Sequence, residues 1–250
     1  MLIDCHCHIN SLNFPERNYL ITHAEGHYVF IDVSIDYPSS QQSIELSDSV
    51  PCIYSSLGFH PFSADGFNET VLTRYEEMIA GSKKVVAIGE VGLDYKASIP
   101  LKKQLAVFEQ FIALAQKVHL PLIVHNRLAD TILLDVLNNY FDCYEKVIFH
   151  CFSQDEKFLE AIIAKGGNVS FSLNLLRKKK NILEALKRVP LENLLLETDS
   201  PYMYIKGRKS SPFDIQEMYR FVCPVQNITQ EELCRSISLN VKRVFNITAE

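Results

Sequence analysis

No run of apolar residues in this chain reaches the ~18 needed to cross a bilayer, so no membrane span is expected. No apolar leader opens it, because one Asp and two His arrive within the first eight residues. The seven cysteines are an odd set without framework spacing. A disulfide scaffold is therefore excluded, and reduced thiols in a cytoplasmic protein are the expectation. Asn-X-Ser/Thr sequences such as Asn68-Glu69-Thr70 carry no meaning there. No low-complexity tract or linker marks a boundary, so residues 1–250 read as one domain. Basic excess is missing too: the net charge is −5 and the pI about 5.9. That excludes a general nucleic-acid coating protein. A nucleic-acid substrate would need positive charge supplied locally, by metal ions or a few basic loops.

What is present is alternation. Short apolar stretches rich in β-branched and aromatic residues predict strands near 1–9, 28–35, 53–59, 84–90, 121–125, 147–150, 168–172 and 194–199. Helical patterns fall between them, near 15–26, 39–48, 71–80, 101–119, 128–141, 156–165 and 181–189. Two more close the chain near 214–222 and 229–245. Helix 101–119 is the clearest, with Leu105, Phe108, Ile112 and Ala115 along one face, and Gly81 stands where a C-cap belongs. Eight strands alternating with helices predict a (β/α)8 TIM barrel, with an open doubly wound sheet as the alternative.

The polar residues favour the barrel. Strand one ends in His6 and His8, strand three in His60, strand four in Glu90 and Asp94. Strand five ends in His125 and Arg127, strand six in His150, strand eight in Asp199. A barrel gathers all its C-terminal strand ends at one mouth, whereas an open sheet spreads them along an edge. A lone strand histidine is more often a hydrogen-bonded core residue than a ligand. Independent core histidines, however, have no reason to share the same end of strands one, five and six. His23, His27 and His119 lie in helix ends or connections and read as structural or surface residues.

His6, His8, Glu90, His125, His150 and Asp199 are too many for one tetrahedral ion and suit two divalent ions sharing a carboxylate. Mixed imidazole and carboxylate ligands fit Zn2+ or Mn2+, with Mg2+ weaker on nitrogen. The opening Cys5-His6-Cys7-His8 admits a compact Cys/His zinc site. Strand alternation instead puts the two histidines on one face and the two cysteines on the other.

With these residues in place, the chain resembles the TatD family of metal-dependent deoxyribonucleases, in the amidohydrolase superfamily. The resemblance rests on six segments in order: Ile3-Asp4-Cys5-His6-Cys7-His8, Gly58-Phe59-His60-Pro61, Ile88-Gly89-Glu90-Val91-Gly92-Leu93-Asp94-Tyr95, Leu120 through Arg127, His150-Cys151-Phe152-Ser153, and Glu197-Thr198-Asp199-Ser200-Pro201-Tyr202. It implies that His6, His8, Glu90 and Asp199 hold a first ion, and that Glu90, His125 and His150 hold a second. It also implies 3′-5′ exonuclease hydrolysis of DNA phosphodiester bonds by water activated between the ions. Departures fall in the mouth loops: Phe62 where the family usually has His, Gln154 where it has Gly, and Lys209-Ser210-Ser211-Pro212 where it has Arg-Asn-X-Pro.

Under this reading Asp199 is the general base, and Glu90 bridges. His60 contacts a phosphate oxygen or protonates the leaving group. Arg127 makes a forked phosphate contact or a salt bridge to an acid, and Asp94 holds a ligand from behind. Arg177-Lys178-Lys179-Lys180 and Lys206-Gly207-Arg208-Lys209 put basic residues on neighbouring mouth loops, as a polyanion such as a single-stranded 3′ end would want, or as ordinary surface charge. The six ligands are equally compatible with hydrolysis of a carboxylic ester, lactone or amide, as in an aminoacyl-tRNA deacylase. A non-catalytic metal-binding scaffold is disfavoured by the intact Asp199 and Glu90. The oligomeric state is left open.

Overall fold

A computed structural model describes residues 1–247. Eight parallel strands lie in one sheet in sequence order. They are β1 (Leu2–Cys7), β2 (Tyr28–Val33), β3 (Ile53–Leu57), β4 (Val85–Asp94), β5 (Leu122–Arg127), β6 (Val147–Phe149), β7 (Asn168–Phe171) and β8 (Leu194–Leu196). Helices α1 (Phe14–Ala24), α2 (Tyr37–Ser49), α3 (Glu69–Gly81), α4 (Leu101–Val118), α5 (Asp130–Tyr140), α6 (Glu156–Ile163) and α7 (Lys180–Arg188) connect them. A two-stranded hairpin, β9 (Tyr204–Ile205) with β10 (Arg208–Lys209), follows β8, and α8 (Ile215–Gln226) and α9 (Gln230–Phe245) complete the chain.

The ring closes beyond the regular strands. Asp199 N–H donates to the His6 carbonyl at 2.9 Å and His8 N–H to the Ser200 carbonyl at 2.7 Å. Asp4 reinforces the seam, accepting from Thr198 N at 3.0 Å and Thr198 Oγ1 at 2.6 Å. The expected (β/α)8 barrel is therefore the observed fold. β8 stops at Leu196 rather than 199: Glu197 N–H still donates to the Phe171 carbonyl of β7, but from Thr198 onward the backbone bonds Asp4 and β1 instead.

Two register slips shape the mouth of the barrel. Three steps of β1, Asp4 to Cys7, oppose two of β2, and three steps of β4, Ile88 to Val91, oppose two of β5. Such bulges re-aim side chains. On the far side of the barrel, α9 seals the strand starts. Lys146 Nζ bonds the carbonyls of Arg243 and Val244, Arg243 bonds Asn168 Oδ1, and Asn240 bonds the Leu194 carbonyl. The outer layer packs as the pattern predicts: Phe108, Ile112 and Ala115 of α4 are buried, with Leu105 at the margin. Gly81 is the last residue of α3, and the cap falls on Ser82 in extended backbone, so no left-handed glycine is needed there.

Candidate metal centre

β4 carries Glu90, the carboxylate at the centre of the cluster, and its glycines explain how. Gly92 has φ +149°, and a Cβ there would lie 2.0 Å from the His125 carbonyl oxygen. Gly89, at φ +145°, would meet Ile123 backbone at 2.6 Å. Only glycine lets β4 press this closely on β5. Between the two, the bulge aims Glu90 into the barrel mouth, where it is 3% exposed.

Imidazoles surround both oxygens of Glu90. Oε1 lies 2.6 Å from His125 Nδ1, 2.7 Å from His150 Nε2 and 3.6 Å from His60 Nε2. Oε2 lies 3.5 Å from His6 Nε2 and 3.9 Å from His8 Nε2. His8 Nε2 is also 3.3 Å from Asp199 Oδ1 and 3.2 Å from His6 Nε2. His6 stacks on His150 with ring centroids 4.1 Å apart. The six expected ligands thus converge, and among the described residues three triads that could hold an ion have donor atoms within 4.8 Å of one another: His6, His8, Asp199; His6, Glu90, His150; and His60, Glu90, His125.

The third triad brings in His60, and hydrogen bonding separates it from the rest. His60 Nδ1 accepts the Phe62 N–H at 3.1 Å, which leaves the ring proton on Nε2, facing Glu90. Burial drives its pKa down to about 3, so the ring is neutral. His60 therefore presents a donor to the centre. His8 is the opposite case: its Nδ1–H donates to the Val33 carbonyl at 2.8 Å, leaving a bare lone pair on Nε2.

Electrostatics follow from crowding. Burial alone would raise Glu90, but the fields of His150 and His60 and the hydrogen bonds of His125 and His150 hold it well below the usual carboxylate range. Burial likewise opposes His150, yet Glu90 and Glu197 push it well above an ordinary imidazole. Asp199, also desolvated, is held low by its bond to His8 and by the neighbouring rings. Among the described residues no Lys or Arg pairs with Glu90; all its partners are histidines. A buried carboxylate ringed by imidazoles that can exchange their protons for a cation fits divalent metal ions, and the buried His6 Nδ1, without any partner, adds a further unpaired atom.

The other expected residues sit around this cluster and at the rim. Asp94 Oδ2 is 3.2 Å from His125 Nε2 and 4.0 Å from the exposed Arg127 guanidinium. Arg177 and Lys178 lie on the turn after β7, Lys178 at its left-handed end. Arg208 is held bidentately by Asp214 at 2.6 and 2.8 Å, and Lys206 lies 3.4 Å from Glu217, so the second basic loop is partly neutralised within the protein. Cys5 and Cys7 are buried away from the cluster, Cys7 Sγ pointing at the Ile31 carbonyl.

Sequence reasoning overlooked the residues that brace the ligands. Buried Glu197 accepts from Cys151 N at 2.8 Å and from the Ser170 hydroxyl, with Oε1 3.4 Å from His150 Nδ1. Asp32 accepts from Asn10 N and Nδ2, and Asn10 Nδ2 also donates to the Val33 carbonyl beneath His8. The available signal was an acid within each apolar stretch, at Asp4, Asp32 and Glu197.

An inward cluster of imidazoles and carboxylates at the C-terminal mouth of a (β/α)8 barrel is the arrangement of a metal-dependent hydrolase. The model of the family described as TatD related DNase matches residues 3–246, and the chain belongs to that family. It is 30% identical to the uncharacterized metal-dependent hydrolase YabD of Bacillus subtilis, over 99% of this chain and all of that one. It is 28% identical to the 3′-5′ ssDNA/RNA exonuclease TatD of Erwinia tasmaniensis, over 83% of this chain and 84% of that one. The crystal structure of the TatD homologue YJJV from Escherichia coli K12 shares the fold, with a TM-score of 0.91 at 23% identity over 98% of both chains. Among the described residues no helix is long and apolar enough to cross a membrane.

Proposed function

We propose that this chain is a 3′-5′ exonuclease that hydrolyses phosphodiester bonds from single-stranded DNA ends. Two divalent ions, Zn2+, Mn2+ or Mg2+, would be held by His6, His8, Glu90, His125, His150 and Asp199, with Glu90 shared. The observation that carries the reading is Glu90 itself, a buried carboxylate with imidazole nitrogens facing both oxygens. The name of the Erwinia relative supports the choice of nucleic acid. Such ions supply an acidified water and neutralise charge on a phosphoryl group.

The chain's own groups do the rest. Asp199, ionised at neutral pH, takes the proton of the attacking water. His60, neutral with its proton on Nε2, donates a hydrogen bond to a phosphoryl oxygen, a role its low pKa suits better than proton delivery. Arg127 is exposed enough to fork onto the next phosphate while Asp94 stays beside it. Arg177 and Lys178 attract the strand, and Lys206 and Arg208 contribute through what charge their acidic neighbours leave.

The test is product analysis on end-labelled oligodeoxynucleotides with metal-loaded protein and an Asp199→Asn control. Stepwise mononucleotide release from the 3′ end, lost in the variant, is expected. Cleavage that survives in Asp199→Asn overturns the assignment. Turnover of carboxylic esters or aminoacyl-tRNA without action on DNA assigns the same centre to a different electrophile.

A further inference from the structure

Of the nine large apolar side chains that stay exposed among the described residues, five stand on loops that follow strand ends at the mouth, so the exposed apolar surface is concentrated at the site. Two of them touch the metal cluster. Phe62, 52% exposed, lies with its ring centroid 4.9 Å from that of His60, on the loop after β3. Tyr202, 53% exposed, packs edge-on to His8 with centroids 4.8 Å apart, on the loop after β8. The imidazoles they touch belong to different sides of the cluster, His8 beside Asp199 and His60 beside His125. Tyr95, which directly follows β4, extends the aromatic rim and is 51% exposed.

We propose that Phe62 and Tyr202 form a base-stacking subsite for the unpaired terminal nucleotides of a nucleic-acid strand. Half-exposed aromatic rings are poorly used by water but offer a face to any base, without sequence preference. The basic stretch Arg177-Lys178-Lys179 on the same mouth supplies the complementary charge for the backbone. Aromatic faces beside a polyanion-attracting loop are the pairing that single strands use, and stacking between such rings needs a base free of its complement. Phe62 is also the residue that departs from the histidine usual at this position in the family the chain resembles. The inference rests on the nuclease reading for its substrate but not for its readout.

Two measurements separate the claims. The first is binding of an oligodeoxynucleotide with 2-aminopurine at its 3′ end to metal-loaded Asp199→Asn protein, in which stacking quenches the fluorescence. The second is the kinetics of Phe62→Ala and Tyr202→Ala on strands ending in a normal or an abasic nucleotide. Each alanine variant should weaken binding and raise KM roughly tenfold on the normal end, with kcat within about twofold. Phe62→Tyr and Tyr202→Phe should restore wild-type behaviour, and the abasic end should make all variants equal. Equal losses on abasic and normal ends, or undiminished quenching in both alanine variants, overturn the subsite. Quenching that depends on the rings, without any cleavage by the wild type, keeps the subsite and removes the nuclease reading. Absence of both overturns both.

Discussion

Asp4 and Glu90 are both buried carboxylates on the inner strands of the same barrel, yet their surroundings are opposite. Asp4 is fed by donors: the backbone N–H groups of Thr198 and His6 and the Thr198 hydroxyl. Burial raises its pKa well above the usual range, and those bonds only partly offset it. Glu90 is faced by imidazoles on both oxygens and is held well below the usual range despite its burial. The donors around Asp4 complete a seam between β1 and the end of β8. The imidazoles around Glu90 carry its counter-charge only while protonated, with no Lys or Arg among the described residues paired to it, so a divalent cation can take their place. Burial of an acid therefore does not identify a candidate metal ligand; what does is whether its neighbours, like the imidazoles here and unlike backbone amides, can give up their protons to a cation.

Exchanging each carboxylate for a neutral group tests that contrast most strongly. Glu90→Gln should cut hydrolytic turnover by at least about a thousandfold, because both proposed ions would lose the ligand they share, while the barrel remains folded by circular dichroism. Unchanged turnover would remove Glu90 from the centre. Asp4→Ala should do the reverse. Stranding three buried donors should cost about 3 kcal/mol in denaturant unfolding, with metal content per folded chain unchanged. Loss of metal without loss of stability would erase the distinction.

A smaller effect concerns protons. In the metal-free protein, His8, His125 and His150 have raised pKa values, caused by Asp199, by Asp94 with Glu90, and by Glu90 with Glu197 respectively, each against burial. Their stabilisation is fully present below the unfolded imidazole value and lost as pH rises through the folded value. The lowered Glu90 contributes above its unfolded value and is lost as pH falls through its folded one. His6 and His60, lowered mainly by burial, act against the three raised rings. Metal-free protein should thus be most stable between roughly pH 5 and 6.5, and its melting temperature should fall toward pH 8. Metal-loaded protein should show the opposite slope, since protons compete with the ions for the same nitrogens. Parallel slopes in the two forms would contradict a shared site.

The smallest effect belongs at the rim. Lys178→Gln with Lys179→Gln should flatten the salt dependence of KM by roughly one to two phosphate contacts, whereas Arg208→Gln, already engaged by Asp214, should change it less. Equal effects would show that the Asp214 pairing does not withhold charge.

Much of the fold and the cluster was legible in the sequence, for a physical reason. Strand periods and punctuation located all eight strands, and ligand residue types stood at the C-terminal ends of strands one, three, four, five, six and eight. The face of β1 was also readable: His6 and His8 meet within 3.2 Å, although the register slips between Asp4 and Cys7. β4 ran on to Asp94, past the expected 90, because Gly89 and Gly92 permit a bulged strand that apolar periodicity alone does not register. Asp4 and Glu197, present in the quoted motifs, and Asp32 were given no role because a single acid in a strand gives no clue to its partners, which lie up to 194 residues away. The neutralisation of Arg208 by Asp214 was hidden for a different reason. It depends on the β9–β10 hairpin and the turn into α8, neither of which has a periodic signature.

The central claim is that Glu90 joins two ion sites whose other ligands are His6, His8 and Asp199 on one side and His125 and His150 on the other. Metal stoichiometry by elemental analysis, on wild type, Glu90→Gln and Cys5→Ala with Cys7→Ala after identical loading, tests it most directly. Two ions per chain are expected in the wild type and in the double cysteine variant, and a loss from both sites in Glu90→Gln. Full occupancy without Glu90, or metal lost with the two cysteines, would contradict it.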